Sequence, residues 1–66
     1  MNSKFIYDWG EAVRVLTTVP NEMHPGQICS VCGMRVLNGM SLYLVKFSNG
    51  ESLEIPEQHL EAMTED

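Results

Sequence analysis

Two glycine-bearing turns, Asn38-Gly39 and Ser48-Asn49-Gly50, enclose the run SLYLVKF at 41–47. Asn-Gly is the pair best suited to the positive φ angles of a tight hairpin turn. Between the turns Tyr43, Val45 and Phe47 alternate with Leu42, Leu44 and Lys46, the period of a strand with one face in a core. A strand bounded on both sides by hairpin turns needs antiparallel neighbours. ICSVCGMRV (28–36) supplies one, and ESLEI (51–55), with Leu53 and Ile55 inward, supplies the other.

Upstream, EAVRVLTT (11–18) sets Val13 and Val15 against Glu11 and Arg14 and reads as the first strand. FIYDWG (5–10) brings three of the chain's five aromatics at alternate positions, so Phe5, Tyr7 and Trp9 are expected on one face of a short strand or extended arm. Trp9 has two readings, a lid on the core or an exposed recognition aromatic. VPNEMHPGQ (19–27) contains two prolines, an Asn and a Gly, which exclude a central strand or a helix interior and make it a long connecting loop. After ESLEI, Pro56 suits the first turn of a helix, and PEQHLEAM (56–63) is expected to form one or two helical turns with acidic residues near its start.

The expected fold class is therefore all-β: a small barrel of four to five antiparallel strands with a short C-terminal helical turn. Strands of this number and length usually roll up to remove exposed edges. At 66 residues the chain reads as one domain, 1–66, with 1–4 and 64–66 frayed. A core of this size supplies only about 3–5 kcal/mol, so a partner, a staple or a well-closed architecture is expected.

WGEAVRVL followed by HPGQICSV resembles the opening of the Src-homology-3-like small barrels with a KOW-type pattern. Gly10-Glu11-Ala12-Val13-Arg14-Val15 matches their first strand and Pro25-Gly26-Gln27-Ile28-Cys29-Ser30-Val31 their entry to the second, with Cys29 where glycine is usual. YLVKFSNGESLEIPEQHLE is similar to their closing hairpin. The resemblance implies an SH3-like barrel but no single function, because that fold hosts many. Small acidic barrels of this pattern also resemble bacterial immunity proteins, though no motif residue carries that likeness.

Nine acidic and four basic residues give a net charge of −5, and Lys4, Arg14, Arg35 and Lys46 stand singly along the chain. Nucleic-acid binding draws most of its affinity from clustered Lys and Arg, so a direct nucleic-acid ligand is disfavoured. A basic protein partner is favoured. No apolar run reaches the ~20 residues of a membrane span, and Met1-Asn2-Ser3-Lys4-Phe5 lacks a charged segment followed by an apolar stretch. The expected address is the cytoplasm, as a monomer or weak homo-oligomer.

The two cysteines, Cys29-x-x-Cys32, admit two readings. As a zinc knuckle they need two further ligands, and His24 and His59 are the available nitrogens. As part of a strand, sulfurs three residues apart point to opposite faces and share neither metal nor disulfide. The flanking Ile28, Val31, Met34 and Val36 favour the strand, so no cofactor is expected and zinc is the alternative. Redox chemistry lacks the helix that would lower a thiol pKa, and nothing positions a third group for cysteine–histidine catalysis, so no enzymatic activity is expected.

The expected function is a non-catalytic protein-binding module, in its most concrete form an immunity-type inhibitor that occludes a basic toxin or nuclease. A single-knuckle zinc protein or an accessory subunit of a larger complex are the alternatives. The expected partner-binding residues are Glu22, Met23 and His24 at the tip of the long loop, Trp9, and Glu51 and Glu54 of an acidic face continued by Glu57 and Glu61.

Overall fold

The computed structural model describes residues 5–63; the ends expected to fray, 1–4 and 64–66, lie outside the described residues. Five antiparallel strands form one sheet: β1 (Ala12–Val15), β2 (Ile28–Leu37), β3 (Met40–Phe47), β4 (Ser52–Pro56) and β5 (Leu60–Ala62). Their order is β4-β3-β2-β1-β5. The all-β class and the strand number are as the sequence implies. Closure is not: β4 and β5 remain as the two ends of an open sheet.

The β2–β3 hairpin is the longest element because its alternation and its turn agree. Asn38 (φ 52°) and Gly39 (φ 79°) both take the positive φ that the favoured two-residue turn requires, and only glycine adopts it at no steric penalty. Ser48-Asn49-Gly50 closes the β3–β4 hairpin, with the amide of Gly50 donating to the Phe47 carbonyl and that of Phe47 to the Glu51 carbonyl.

The core lies on one face of the sheet. Val13 and Val15 of β1, Cys29 and Val31 of β2, Tyr43, Val45 and Phe47 of β3, Ile55 of β4 and Leu60 of β5 are all buried there. Cross-strand rows match this list: Cys29 pairs with Phe47, Val31 with Val45, and Met34 with Tyr43. The step from Cys29 to Val31 is two residues but that from Val31 to Met34 is three, and the register shifts between Val31 and Gly33. Cys32 is the extra residue of this β-bulge. In a regular strand without the bulge, the three-residue step would turn Met34 outward.

The terminal segment corrects the sequence reading. In place of one or two helical turns over 56–63, a single 3-10 turn (Glu57–His59) leads directly into β5. Leu60 leaves that turn with extended backbone (φ −119°, ψ 156°) and enters the core, while β5 pairs with β1 through Val13–Ala62, Arg14–Glu61 and Val15–Leu60. Pro56 ends β4 rather than opening a helix, and β1 is shorter than the 11–18 run suggests. The long loop carries a 3-10 turn of its own at Asn21–Met23.

Residues 5–10 form no strand; they cross the core face as an irregular arm. Phe5 and Tyr7 meet Tyr43 edge-on, with ring centroids 5.8 and 5.2 Å away. The Tyr43 hydroxyl accepts the amide protons of Ile6 (2.9 Å) and Tyr7 (3.3 Å) and donates to Glu57 Oε1 (2.9 Å). The Tyr7 hydroxyl donates to the Leu60 carbonyl at 3.2 Å. Two buried tyrosines therefore stitch the arm to β3 and β5, each polar tip satisfied, as burial demands.

Candidate partner-binding surface

Past Tyr7 the arm ends in a tight turn, Asp8-Trp9-Gly10-Glu11, closed by the Glu11 amide donating to the Asp8 carbonyl (3.1 Å). Gly10 has φ 79°, the angle that the third position of a type II turn requires. All four amides of the turn are bonded. Asp8 N–H donates to Glu11 Oε1 and Trp9 N–H to Asp8 Oδ1, both at 2.9 Å, and Gly10 N–H to the Val31 carbonyl at 2.7 Å. Backbone and both carboxylates thus fix the turn to β2.

On this fixed turn Trp9 stands 67% exposed. The lid reading of Trp9 is thereby corrected. The alternation that put Phe5, Tyr7 and Trp9 on one face breaks at the turn, so the first two rings pack on Tyr43 and the third leaves the core.

The surroundings of the turn are acidic. Burial first, and then the charges of Glu57, Glu11 and Glu61, hold the hydroxyl of Tyr7, the residue before the turn, above its ordinary pKa. Of these, Glu61 has a basic neighbour, Arg14, at 3.9 Å.

The other residues marked in the sequence fall into separate pairs. His24 adopts a left-handed conformation (φ 59°) at the end of the Asn21–Met23 turn and lays its ring on Phe47, centroids 4.7 Å apart. Its Nε2 lies 2.7 Å from Glu51 Oε1, so the long loop is tied to the β3–β4 turn. Glu22 is exposed beside it, while Met23, expected at the loop tip, is only partly exposed and packs against the core. Glu54 receives two hydrogen bonds from Arg35, from Nε at 2.6 Å and from Nη2 at 2.8 Å. The pairing raises the Arg35 pKa and lowers that of Glu54. Glu54 and Glu61 thus each have an arginine beside them, Glu51 has the His24 ring and Glu57 has the Tyr43 hydroxyl. Asp8 and Glu11, which the sequence did not single out, flank Trp9 instead.

The cysteine stretch runs as strand β2, with no knuckle in it. Cys29 is buried, its thiol 3.7 Å from the Val13 carbonyl, and burial pushes its pKa up to about 11. Such a thiol stays protonated near neutral pH and is a poor nucleophile or ligand. Cys32 sits half-exposed on the bulge, and both cysteines are free. Among the described residues, no three of His, Cys, Asp and Glu gather where they could hold a metal ion, and His59 is half-buried at the end of the second 3-10 turn. Among the same residues no helix is long and apolar enough to cross a membrane.

Comparison with known protein families, characterised proteins and solved structures finds no match for the chain.

Proposed function

We propose that the protein is a non-catalytic binding module that engages a basic protein partner through Trp9 and the carboxylates beside it. One observation carries this reading: an indole two-thirds exposed on a turn whose four amides are all bonded. The backbone that carries the indole is already ordered for contact, which lowers the conformational entropy that opposes binding. Tryptophan is also among the residues most enriched in interface hot spots. Asp8 and Glu11 add local negative charge to a chain of net charge −5, which steers a basic partner toward the turn. The exposed Glu22 and the His24–Glu51 pair form a second, polar element on the long loop. In its most concrete form the module is an immunity-type inhibitor that occludes the working surface of a basic toxin or nuclease.

Trp9 is the only tryptophan, so its fluorescence reports on this turn alone. Titration with an oligo-arginine peptide at low ionic strength is expected to give a saturable change that disappears in about 0.5 M salt, where charges are screened beyond a few ångströms. No change at low salt, or a change indifferent to salt, would overturn the reading.

A further inference from the structure

The charged residues of the strands, Arg14, Arg35, Lys46, Glu54 and Glu61, all lie on the face of the sheet away from the core. Arg14 faces Glu61 in the β1–β5 ladder and Arg35 binds Glu54, so those four charges pair off. Lys46 stands between Ser30 of β2 and Ser52 of β4, which carry no charge. The strands therefore give this outer face a positive charge in excess, although the chain as a whole carries −5.

Beside Lys46 the outer face is hollow. Ala12, Ser30 and Lys46 form one cross-strand row, and Ile28 lies in the next, opposite Arg14. The small side chains of Ala12, Ser30 and Ser48 leave a concavity of about 290 Å3 that Ile28 and Lys46 also line. Ile28 is 50% exposed. An apolar wall, an ammonium and two hydroxyls thus border one depression.

The chain itself carries the complement. The Asp8–Glu11 turn presents an exposed indole beside two carboxylates. The indole offers apolar area to Ile28 and a ring face to the Lys46 ammonium, while Asp8 and Glu11 supply the opposite charge. A foreign segment would have to combine an aromatic ring with flanking acids, and every copy of this protein already does. We infer that the protein self-associates weakly, the Trp9 turn of one copy docking on the Lys46–Ile28 concavity of another. Turn and concavity are different surfaces, so the contact is heterologous and adds copies head to tail. The inference rests on the proposed reading that the turn recognises positive charge, and it makes the protein's own outer face a competitor of any basic partner.

Sedimentation over a concentration series, with backbone amide shifts followed over the same range, tests the inference. The mean mass is expected to rise above that of a single chain by about the hundred-micromolar range. Amide shifts at 8–11 and at 28–30 and 46–48 should move together, and an oligo-arginine peptide, by occupying the turn, should return the mass to a single chain. Lys46→Gln and Trp9→Ala, both at exposed positions, are each expected to weaken association at least about tenfold. The double variant should be little worse, because each substitution removes one side of the same contact. A single-chain mass up to about 1 mM, with oligo-arginine still binding the turn, would overturn the inference and leave the reading of the turn standing; loss of both would remove both. Association whose shifts spare either surface would also overturn it. So would a chain that stays single while a short peptide with an aromatic ring between carboxylates shifts 28–30 and 46–48, which would give the face to a foreign acidic segment. The shift measurement needs no variant, so it decides the matter even if a substitution disturbs the fold.

Discussion

Arg35 on β2 and Glu54 on β4 reach each other across β3, through hydrogen bonds of 2.6 and 2.8 Å, although the two strands are not paired in the sheet. Beside them on β3 lies Leu42, paired with Arg35 in the ladder, facing away from the main core yet only 7% exposed. The side chains of an exposed ion pair thus shelter an apolar residue on the outer face. Because the two groups act together, removing either should remove the whole contribution. Denaturant midpoints of Arg35→Ala, Glu54→Ala and the double variant should show the double little worse than either single, whereas additive losses would mean that the two side chains act separately.

The Tyr43 hydroxyl organises the arm. Tyr43→Phe leaves the amides of Ile6 and Tyr7 without their acceptor in a partly or fully buried setting, and about 1–3 kcal/mol of stability should be lost. Tyr7→Phe removes one 3.2 Å bond to a carbonyl and should cost less, about 1 kcal/mol. Urea denaturation of both variants gives the ranking directly, and an equal or reversed cost would count against the arm's dependence on Tyr43.

At the β2–β3 turn the chain needs positive φ at two successive positions. Gly39→Ala should cost about 1 kcal/mol, because a Cβ disfavours that region even where nothing crowds it. Asn38→Gly should be nearly neutral. Thermal unfolding of the pair separates backbone strain from side-chain loss.

Alkaline pH should weaken the fold before it ionises the core. Burial raises the Cys29 pKa from 9.0 to about 11. The unfolded chain therefore releases this proton first, and the folded chain holds it. Stability from this group is complete below pH 9 and is lost as pH rises from there through about 11. Tyr7 and Tyr43, raised above 10.0 chiefly by burial, act in the same direction at higher pH. Urea midpoints should be flat up to about pH 8.5 and fall beyond it, and Cys29→Ala should remove the earliest part of the fall.

Charge at the Trp9 turn should govern association. Asp8→Asn with Glu11→Gln keeps the side-chain acceptors for the two turn amides and removes two negative charges. Affinity for an oligo-arginine peptide should drop about tenfold while the fold survives. An unchanged affinity would place the steering charges elsewhere on the chain.

Much of the fold could be read from local pattern. The β2–β3–β4 meander follows from a period of two between turn residues, and Val13 and Val15 announce β1 in the same way. What escaped was set by contacts distant in sequence. PEQHLEAM has the composition of a helix start, but Leu60 is captured by the core, and strand pairing with β1, about 47 residues earlier in the chain, overrides the local preference. The Cys32 bulge has no signature of its own; it shows only in the three-residue step from Val31 to Met34. Trp9 follows two core aromatics in strict alternation, and only the type II geometry at Gly10 turns it out. His24 and Glu51 were each marked as surface residues, but their meeting depends on the fold of the long loop. Asp8 and Glu11 look like ordinary solvating acids until the turn sets them on either side of an exposed indole.

The central claim, that Trp9 is held out for a partner and contributes nothing to the core, is tested most directly by the urea stability of Trp9→Ala. A change within about 0.5 kcal/mol, the range of a surface substitution, is predicted. A loss of about 3 kcal/mol or more, as for a buried tryptophan, would return the indole to the core and contradict the claim.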